Sequence, residues 1–202
     1  MIKKVHIATS REVGHKCISW AKENLPVGFV LVEDSKECDI FISILYDKIL
    51  SPDFLESKQC FNFHPGILPG YRGAGAYSWA IINEETKSGV TLHLIDKGID
   101  SGDIIEIREF PIIATDTAFS LWERGNILLQ KMFRSWFKNL LNENYTTTQQ
   151  VDSESAIYYR KDLNKAKDLT RFIRALHFPG KESSYYLNNQ GVKVYLEFTK
   201  GE

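Results

Sequence analysis

Short apolar runs separated by polar residues dominate the first third of the chain. Residues 5–9, 29–32, 39–45 and 59–63 are rich in aliphatic, β-branched and aromatic side chains. All four predict strands, and those at 29–32 and 39–45, bounded by polar residues or glycine, are typical of strands buried on both faces of a parallel sheet. Between the first two runs, residues 10–24 place their apolar side chains on one side of a helix. The pattern in this part of the chain therefore predicts an α/β fold.

The central part of the chain continues to alternate between helical and strand patterns. Residues 52–56 begin with proline and suit a brief helix before the strand that ends at Pro65. Residues 74–83 are expected to be helical, while 89–95 and 103–113 are expected to pair as strands. Two further strands should therefore extend the sheet.

One long amphipathic helix is predicted after these strands. From residue 116 to 142, large apolar side chains recur at helical spacing, with Thr115 or Asp116 available as the N-cap. Trp122 and Trp136 belong to this apolar stripe, and we expect them in the core rather than in a ligand site. The helix should cover one face of the sheet.

The last quarter of the chain is expected to form a small appended unit. The pattern divides the chain into a main domain over 1–150 and an accessory subdomain over 151–202. Within the second part, an amphipathic helix is predicted around 169–176, and a hairpin over 185–196 with its turn at 188–191. The fold class is α/β, a Rossmann-like and mostly parallel sheet flanked by helices, with a small C-terminal α+β hairpin extension.

Composition and charge narrow the function classes. The 202 residues are 43% hydrophobic and 25% charged, with a net charge of −1, and the basic residues are dispersed. The broad positive field that dominates nucleic-acid affinity is therefore missing, and no nucleic-acid partner is expected. An apolar signal core and a segment of membrane length are also missing, so we expect a cytoplasmic protein without a membrane partner.

The three cysteines suggest neither disulfides nor a metal. Cys17, Cys38 and Cys60 form an odd set without a close Cys-x-x-Cys pair. This usage fits buried thiols in a reducing compartment. No metal site is predicted.

An amide, an imidazole and a carboxylate make the strongest chemical signal. Asn62 and His64 stand two residues apart on a predicted strand and therefore share a face, and Asp100 lies between Gly98 and Gly102. An amide can donate to an oxyanion, an imidazole can move a proton near neutral pH, and a carboxylate can orient the imidazole. This set suits acyl transfer, although each residue alone could serve a strand or a turn.

Four motifs follow one another along the chain: Asn-x-His-Pro at 62–65, Leu-Pro-x-Tyr-Arg-Gly at 68–73, Gly-Val-Thr-x-His at 89–93 and Asp-x-Gly-Asp-Ile-Ile at 100–105. In this order they resemble the folate-dependent formyltransferases, which include glycinamide ribonucleotide, methionyl-tRNA and nucleotide-linked amino-sugar formyltransferases. The chain departs from the usual family pattern because a helix and strand before the first motif are missing. The resemblance therefore implies a shortened formyltransferase fold, with 1–150 as the catalytic domain.

The resemblance implies roles for three residues. Asn62 would steady the tetrahedral intermediate, His64 would act as acid or proton shuttle, and Asp100 would position His64 and help to deprotonate the amine. The formyl donor would be N10-formyltetrahydrofolate, with no metal. Its pterin would enter between two segments, and the residues expected to contact it are Leu45, Tyr46, Ile95, Asp96, Gly98 and Ile99.

The acceptor implied by the resemblance is the amine of a nucleotide-linked amino sugar. Residues 173–180 resemble a segment of the methionyl-tRNA and amino-sugar enzymes rather than of the purine enzyme. The tail is too short for the separate domain of the tRNA enzymes, which leaves a sugar such as a dTDP-4-amino-4,6-dideoxyhexose and a role in O-antigen biosynthesis. Glycinamide ribonucleotide formylation and a catalytically silent binding module remain alternatives.

Four residues are candidates for contacts with the acceptor. Arg11 follows the first strand, where phosphate commonly meets a helix N-terminus, and Arg72 could bind phosphate or anchor its own loop. Tyr77 and Trp79 could pack in the core or stack on a base. His93 is expected to be buried and structural and is left out of the catalytic set. Exposed tail strands could support a homodimer.

Overall fold

A six-stranded sheet forms the centre of the computed structural model, which describes residues 2–159, 162, 168–187 and 192–196. The strands of the protein are β1 (Lys3–Thr9), β2 (Phe29–Leu31), β3 (Ile40–Ile44), β4 (Gln59–His64), β5 (Arg72–Gly73), β6 (Lys87–Leu94), β7 (Ile104–Pro111), β8 (Ile157–Tyr158), β9 (Ser184–Leu187) and β10 (Lys193–Leu196). The α-helices are α1 (Glu12–Asn24), α2 (Pro52–Glu56), α3 (Ala76–Ile82), α4 (Ala118–Leu141) and α5 (Leu169–Leu176).

The central sheet has the strand order β2-β1-β3-β4-β6-β7. Its first four strands run parallel, and β6 and β7 join antiparallel. Parallel neighbours need crossover connections, and α1 and α2 provide two of them. The predicted Rossmann-like, mostly parallel sheet flanked by helices is confirmed, and element boundaries differ from the predicted ones by no more than about two residues.

The position of a strand in the sheet decides how deeply it is buried. All five residues of β3 are buried, as expected for a strand with neighbours on both sides. The prediction that β2 is buried on both faces is wrong. This strand lies at the edge of the sheet and leaves Val30 39% exposed. An apolar run alone does not distinguish an edge strand from a central one.

Two apolar clusters cover the two faces of the sheet. One cluster joins β1, β3, β4 and β6 to α1 and α4, and includes Cys17, Phe133 and Phe137. The other contains Cys38 and Cys60 and receives α2. The three cysteines are free and buried, as the sequence predicts.

The long helix α4 begins later than its pattern suggests. Its N-cap is Thr117, whose hydroxyl accepts a hydrogen bond from Ser120 N, while Ser120 Oγ accepts one from Thr117 N. The predicted caps Thr115 and Asp116 are therefore wrong. The Asp116 carboxylate accepts a hydrogen bond from the Ile113 amide instead and so closes the preceding turn.

The C-terminal extension packs onto the main domain. Helix α5 contacts α3 and α4, and Ala175 is completely buried among Tyr77, Ile81, Ala118 and Leu121. Strand β8 pairs in parallel with β5, and β9 pairs antiparallel with β10. The predicted turn at 188–191 lies outside the described residues. No helix in the described ranges is long and apolar enough to cross a membrane.

Candidate active site

The end of β4 brings the first two candidate residues to the edge of the sheet. Asn62 and His64 project from the same face of the strand, and Pro65 follows directly after it. His64 is buried, with 3% of its surface exposed, whereas Asn62 is partly accessible. Carboxyl ends of parallel strands are common ligand sites in α/β sheets.

Asp100 approaches this pair from the connection between β6 and β7. Its backbone has a φ of 47°, in the left-handed region. One carboxylate oxygen, Oδ2, accepts the Gly73 N–H at 2.9 Å and lies 3.3 Å from His64 Nδ1. The other oxygen, Oδ1, accepts the Asn62 amide at 3.3 Å. The structure thus brings together the three residues that the sequence selects.

His93 is a fourth member of this cluster. Its burial, with 1% exposed, agrees with the sequence, but it also contacts the candidate catalytic groups. His93 Nε2 lies 3.1 Å from Asn62 Nδ2 and 3.6 Å from Asp100 Oδ1. In the antiparallel pairing of β4 with β6, His93 stands directly opposite Asn62. A prediction of that strand register would have revealed the contact.

Burial and charge set the protonation of the pair formed by His64 and Asp100. Burial lowers the pKa of the His64 imidazole below its ordinary value, although the Asp100 carboxylate opposes this effect. Burial acts to raise the pKa of Asp100, but His64, His93 and the Gly73 amide together hold it below its ordinary value. The carboxylate is therefore ionised at neutral pH. A lowered His64 pKa favours a proton shuttle over a permanently protonated acid.

The hydrogen bonds of His64 suit transient protonation. Its Nε2 faces the Tyr71 carbonyl oxygen at 2.7 Å, and its Nδ1 faces Asp100. Both partners are acceptors, so a doubly protonated ring can donate to each of them. The imidazole can therefore gain and release a proton without changing position.

Two cavities meet at this cluster. The Ile95 cavity, of about 320 Å³, and the Arg11 cavity, of about 280 Å³, share Tyr46, Asn62 and Asp100 in their walls. The further walls of the Ile95 cavity include Phe41, Ser43, Lys48, Ile49, Leu50, Leu55, His93, Asp96, Lys97, Gly98 and Ile99. Those of the Arg11 cavity include Leu45, Asp47, His64, Pro65, Gly73, Ala76, Tyr77, Ser78, Trp122 and Phe178.

Most of the residues predicted to contact the folate line one cavity. The structure places Tyr46, Ile95, Asp96, Gly98 and Ile99 in the wall of the Ile95 cavity. Leu45, the remaining member of that set, lines the Arg11 cavity instead.

The four residues predicted to contact the acceptor do not all line one cavity. Arg11 and Tyr77 line the Arg11 cavity. The Arg72 guanidinium donates hydrogen bonds to Gln150 and Asp152. Of the two predicted roles of Arg72, these bonds correspond to anchoring its own loop. Trp79 packs on Tyr158, with 4.9 Å between ring centroids.

Two aromatic residues of the Arg11 cavity come from elsewhere in the chain. Trp122 was expected only in the core, but it both packs against the cluster around Tyr77 and lines the cavity. Phe178 follows α5 and reaches the same wall. Helical periodicity identifies an apolar face but does not show whether that face also borders a cavity.

An amide donor, an imidazole and an ionised carboxylate lie at the junction of two cavities in a Rossmann-like α/β protein, and these chemical groups suit a group-transfer enzyme. Residues 21–135, more than half of the chain, match the family model described as formyl transferase. The chain belongs to this formyltransferase family.

Curated relatives of the chain include enzymes with different acceptors. A methionyl-tRNA formyltransferase of Alkaliphilus oremlandii is 38% identical over 131 residues, which are 63% of this chain and 42% of the relative. A GDP-perosamine N-formyltransferase of Brucella melitensis is 32% identical over 157 residues, 70% of this chain and 58% of the relative. In five methionyl-tRNA formyltransferases that it matches, the aligned region spans between 40% and 53% of the relative.

Solved structures agree with the fold over the whole chain. A sugar N-formyltransferase from a Shewanella species superimposes with a TM-score of 0.84 at 19% identity, covering 100% of this chain and 99% of that one. An N-formyltransferase from Helicobacter canadensis, in complex with folinic acid and dTDP-3-aminofucose, gives 0.75 at 23% identity and covers 98% and 93%. At these identities the similarity shows a shared fold.

Proposed function

We propose that the protein transfers a formyl group from N10-formyltetrahydrofolate to the amine of a nucleotide-linked amino sugar, such as a dTDP-4-amino-4,6-dideoxyhexose. The observation that carries this proposal is the meeting of two cavities at Asn62 and Asp100. A donor and an acceptor bound on opposite sides would place their reacting atoms beside the same groups.

The Ile95 cavity fits the formyl donor. Its walls combine apolar side chains, such as Phe41 and Ile95, with backbone groups of the loop around Gly98. A flat heteroaromatic pterin can pack between such walls and bond to main-chain groups. The complex of the Helicobacter canadensis relative with folinic acid supports this assignment.

The Arg11 cavity fits the acceptor. Arg11 supplies a cation at its edge, and its guanidinium is half exposed and only 4.0 Å from Asp47. A diphosphate would take the guanidinium as a partner, while the aromatic rings of Trp122 and Phe178 offer surfaces for a base or a sugar. His64 and Asp100 lie in the same cavity and so face the incoming amine.

The reaction would proceed by direct attack. The neutral amine forms a bond to the formyl carbon, and the Asn62 N–H donates to the oxygen that becomes negative. Asp100, which is ionised, accepts the proton from the nitrogen once that nitrogen carries positive charge. Asp100 passes this proton to Nδ1 of His64, 3.3 Å away, and the imidazole gives up a proton to the departing tetrahydrofolate nitrogen as the bond from carbon to N10 breaks.

A second candidate is formylation of methionyl-tRNA, because several sequence relatives carry that name. A net charge of −1 opposes it, since a polyanionic substrate requires a positive surface. Glycinamide ribonucleotide, the acceptor named as an alternative in the sequence analysis, is a further small-molecule candidate.

A panel assay would test the proposal. The purified protein is offered N10-formyltetrahydrofolate with dTDP-linked, GDP-linked and UDP-linked amino sugars, glycinamide ribonucleotide or methionyl-tRNA, and release of tetrahydrofolate is followed. We expect turnover with a nucleotide-linked amino sugar. Turnover confined to methionyl-tRNA or to glycinamide ribonucleotide would contradict the proposed acceptor, and folate binding without turnover would indicate a binding module.

A further inference from the structure

We propose that Gln150 is a positioning residue that holds Asp100 in its reactive geometry. This inference rests on the proposed function, because it concerns the carboxylate of that same site. Gln150 lies in the connector between α4 and the C-terminal extension, beyond residues 21–135 that match the family model. The connector thereby becomes part of the active-site structure.

The buried amide of Gln150 makes three hydrogen bonds to two neighbouring segments. Its Nε2 donates to the Asp100 carbonyl oxygen at 2.9 Å and to the Gly102 carbonyl oxygen at 2.7 Å. Its Oε1 accepts from Arg72 Nε at 3.0 Å. Only 9% of the residue is exposed, so water cannot readily replace these partners.

The backbone of Asp100 needs such support. A φ of 47° is a conformation that residues other than glycine rarely adopt, and surrounding contacts must maintain it. The preceding residues Gly98 and Ile99 are exposed and offer little packing. Gln150 donates to the carbonyl oxygens of Asp100 and Gly102 and so holds the loop backbone at these two residues.

The same amide also supports the other partner of the carboxylate. Gly73 N–H donates to Asp100 Oδ2, and the residue next to Gly73 is Arg72, which Gln150 holds. Gln150 therefore links the loop that carries Asp100 to the strand that fixes its side chain. A shift of this link would move the carboxylate relative to His64 Nδ1, 3.3 Å away.

Two substitutions separate the halves of this link. Gln150→Leu removes every hydrogen bond, whereas Gln150→Glu retains an acceptor for Arg72 and loses the N–H donors to the two carbonyl oxygens. We expect both to lower kcat by at least about tenfold while KM for each reactant changes less than about threefold, because misplaced catalytic groups slow the chemical step more than binding. The matched controls are Gln149→Leu and Gln149→Glu at the exposed neighbour. Wild-type kcat in a folded Gln150→Glu variant would overturn the proposal.

A double-mutant cycle tests whether Gln150 acts through Asp100. In an Asp100→Asn background, Gln150→Leu should change the remaining kcat by less than about threefold, because the group that it positions has already been lost. An equal loss in both backgrounds would show that Gln150 acts elsewhere.

A measurement without turnover distinguishes this inference from the proposed function. The His64 imidazole is titrated by NMR in the wild type, Asp100→Asn, Gln150→Leu and Gln149→Leu. Since the Asp100 carboxylate raises the pKa of His64, Asp100→Asn provides the reference for its loss. Gln150→Leu, which adds no charge, should move the titration part of the way toward this reference, and Gln149→Leu should not. If the wild type formylates no amine, the proposed function fails while this titration still decides the role of Gln150; an unchanged His64 titration overturns that role.

Discussion

The amide of Asn62 has one allowed orientation in the cluster. His93 Nδ1 lies 2.6 Å from the Leu94 carbonyl oxygen, which can only accept, so Nδ1 carries a hydrogen and Nε2 is the ring nitrogen that can accept the Asn62 N–H. Asp100 Oδ1 is also an acceptor. Both neighbours therefore require the Nδ2 group of Asn62, and its two amide hydrogens point to His93 Nε2 and Asp100 Oδ1.

Substitutions of His93 should reveal this orienting contact. We expect His93→Gln, whose side-chain oxygen can accept from Asn62, to retain kcat within about tenfold. His93→Leu should lose about a hundredfold, because leucine cannot accept the Asn62 N–H and the longer bond to Asp100 alone then holds the amide. Steady-state kinetics of both variants provide the measurement. Equal activities of the two variants would contradict the contact.

Removal of the amide itself should affect turnover more than binding. Asn62→Ala is expected to lower kcat by about a hundredfold or more, because a donor to the developing oxyanion is lost. The Kd for a folate analogue should change little. Asn142→Ala, at the exposed end of α4, serves as the control. Wild-type turnover in Asn62→Ala would remove Asn62 from the mechanism.

The buried His64 should also make stability depend on pH. Its lowered pKa means that the folded protein favours the neutral ring, so this contribution is complete above the unfolded value of about 6.5 and is lost as pH falls below it. The free energy of unfolding should decrease between pH 6.5 and 5 by up to about 1.4 kcal/mol per pH unit from this group. Urea titrations should show a flatter profile for His64→Gln than for the wild type. Parallel profiles for the two proteins would contradict the assignment.

At the scale of elements, the start of α4 depends on one reciprocal cap. The Thr117 and Ser120 side chains each accept the backbone N–H of the other. Thr115 and Asp116 are equally plausible caps by residue type, and the choice depends on where the preceding turn closes. That turn is fixed by the hydrogen bond from Ile113 N to the Asp116 carboxylate, which the helical pattern does not contain.

The cap can be tested by its effect on stability. Thr117→Ala should lower the free energy of unfolding by about 1 kcal/mol, because the Ser120 N–H loses its side-chain acceptor, while Thr117→Ser should cost less. Thr115→Ala, at an exposed position, should leave stability nearly unchanged. Urea denaturation followed by circular dichroism measures all three, and an equal effect at both threonines would contradict the structure.

At the scale of the whole molecule, the extension contributes to the candidate acceptor site. Ser78 Oγ donates to the Ala175 carbonyl oxygen at 2.6 Å, and Arg174 Nε donates to that of Asp116 at 2.7 Å. These bonds hold α5 against the main domain and bring Phe178 to the Arg11 cavity. Residues on both sides of the predicted domain boundary at residue 150 therefore line the Arg11 cavity.

Loss of the Phe178 ring should therefore weaken acceptor binding. Phe178→Ala is expected to raise KM for the amino-sugar acceptor by about tenfold, the cost of roughly 1.4 kcal/mol of lost apolar contact, with KM for the folate unchanged. The control is Tyr195→Ala on the terminal hairpin, where the ring contacts Tyr185. Equal effects on both reactants would indicate a general change of structure.

The sequence alone was enough to predict the secondary structure, the fold class and the cluster of candidate catalytic residues. Hydrophobic periodicity predicts the strands, the helices and the α/β class, and the spacing of Asn62 and His64 with the later Asp100 predicts the reactive cluster, because these signals depend on residues close together or on a family motif. Tertiary structure alone decided that β2 is an edge strand, that His93 faces Asn62, that Trp122 borders a cavity and that Gln150 clamps Asp100. Each of these depends on strand order, register or packing between distant segments, and such contacts leave no periodic trace along the chain.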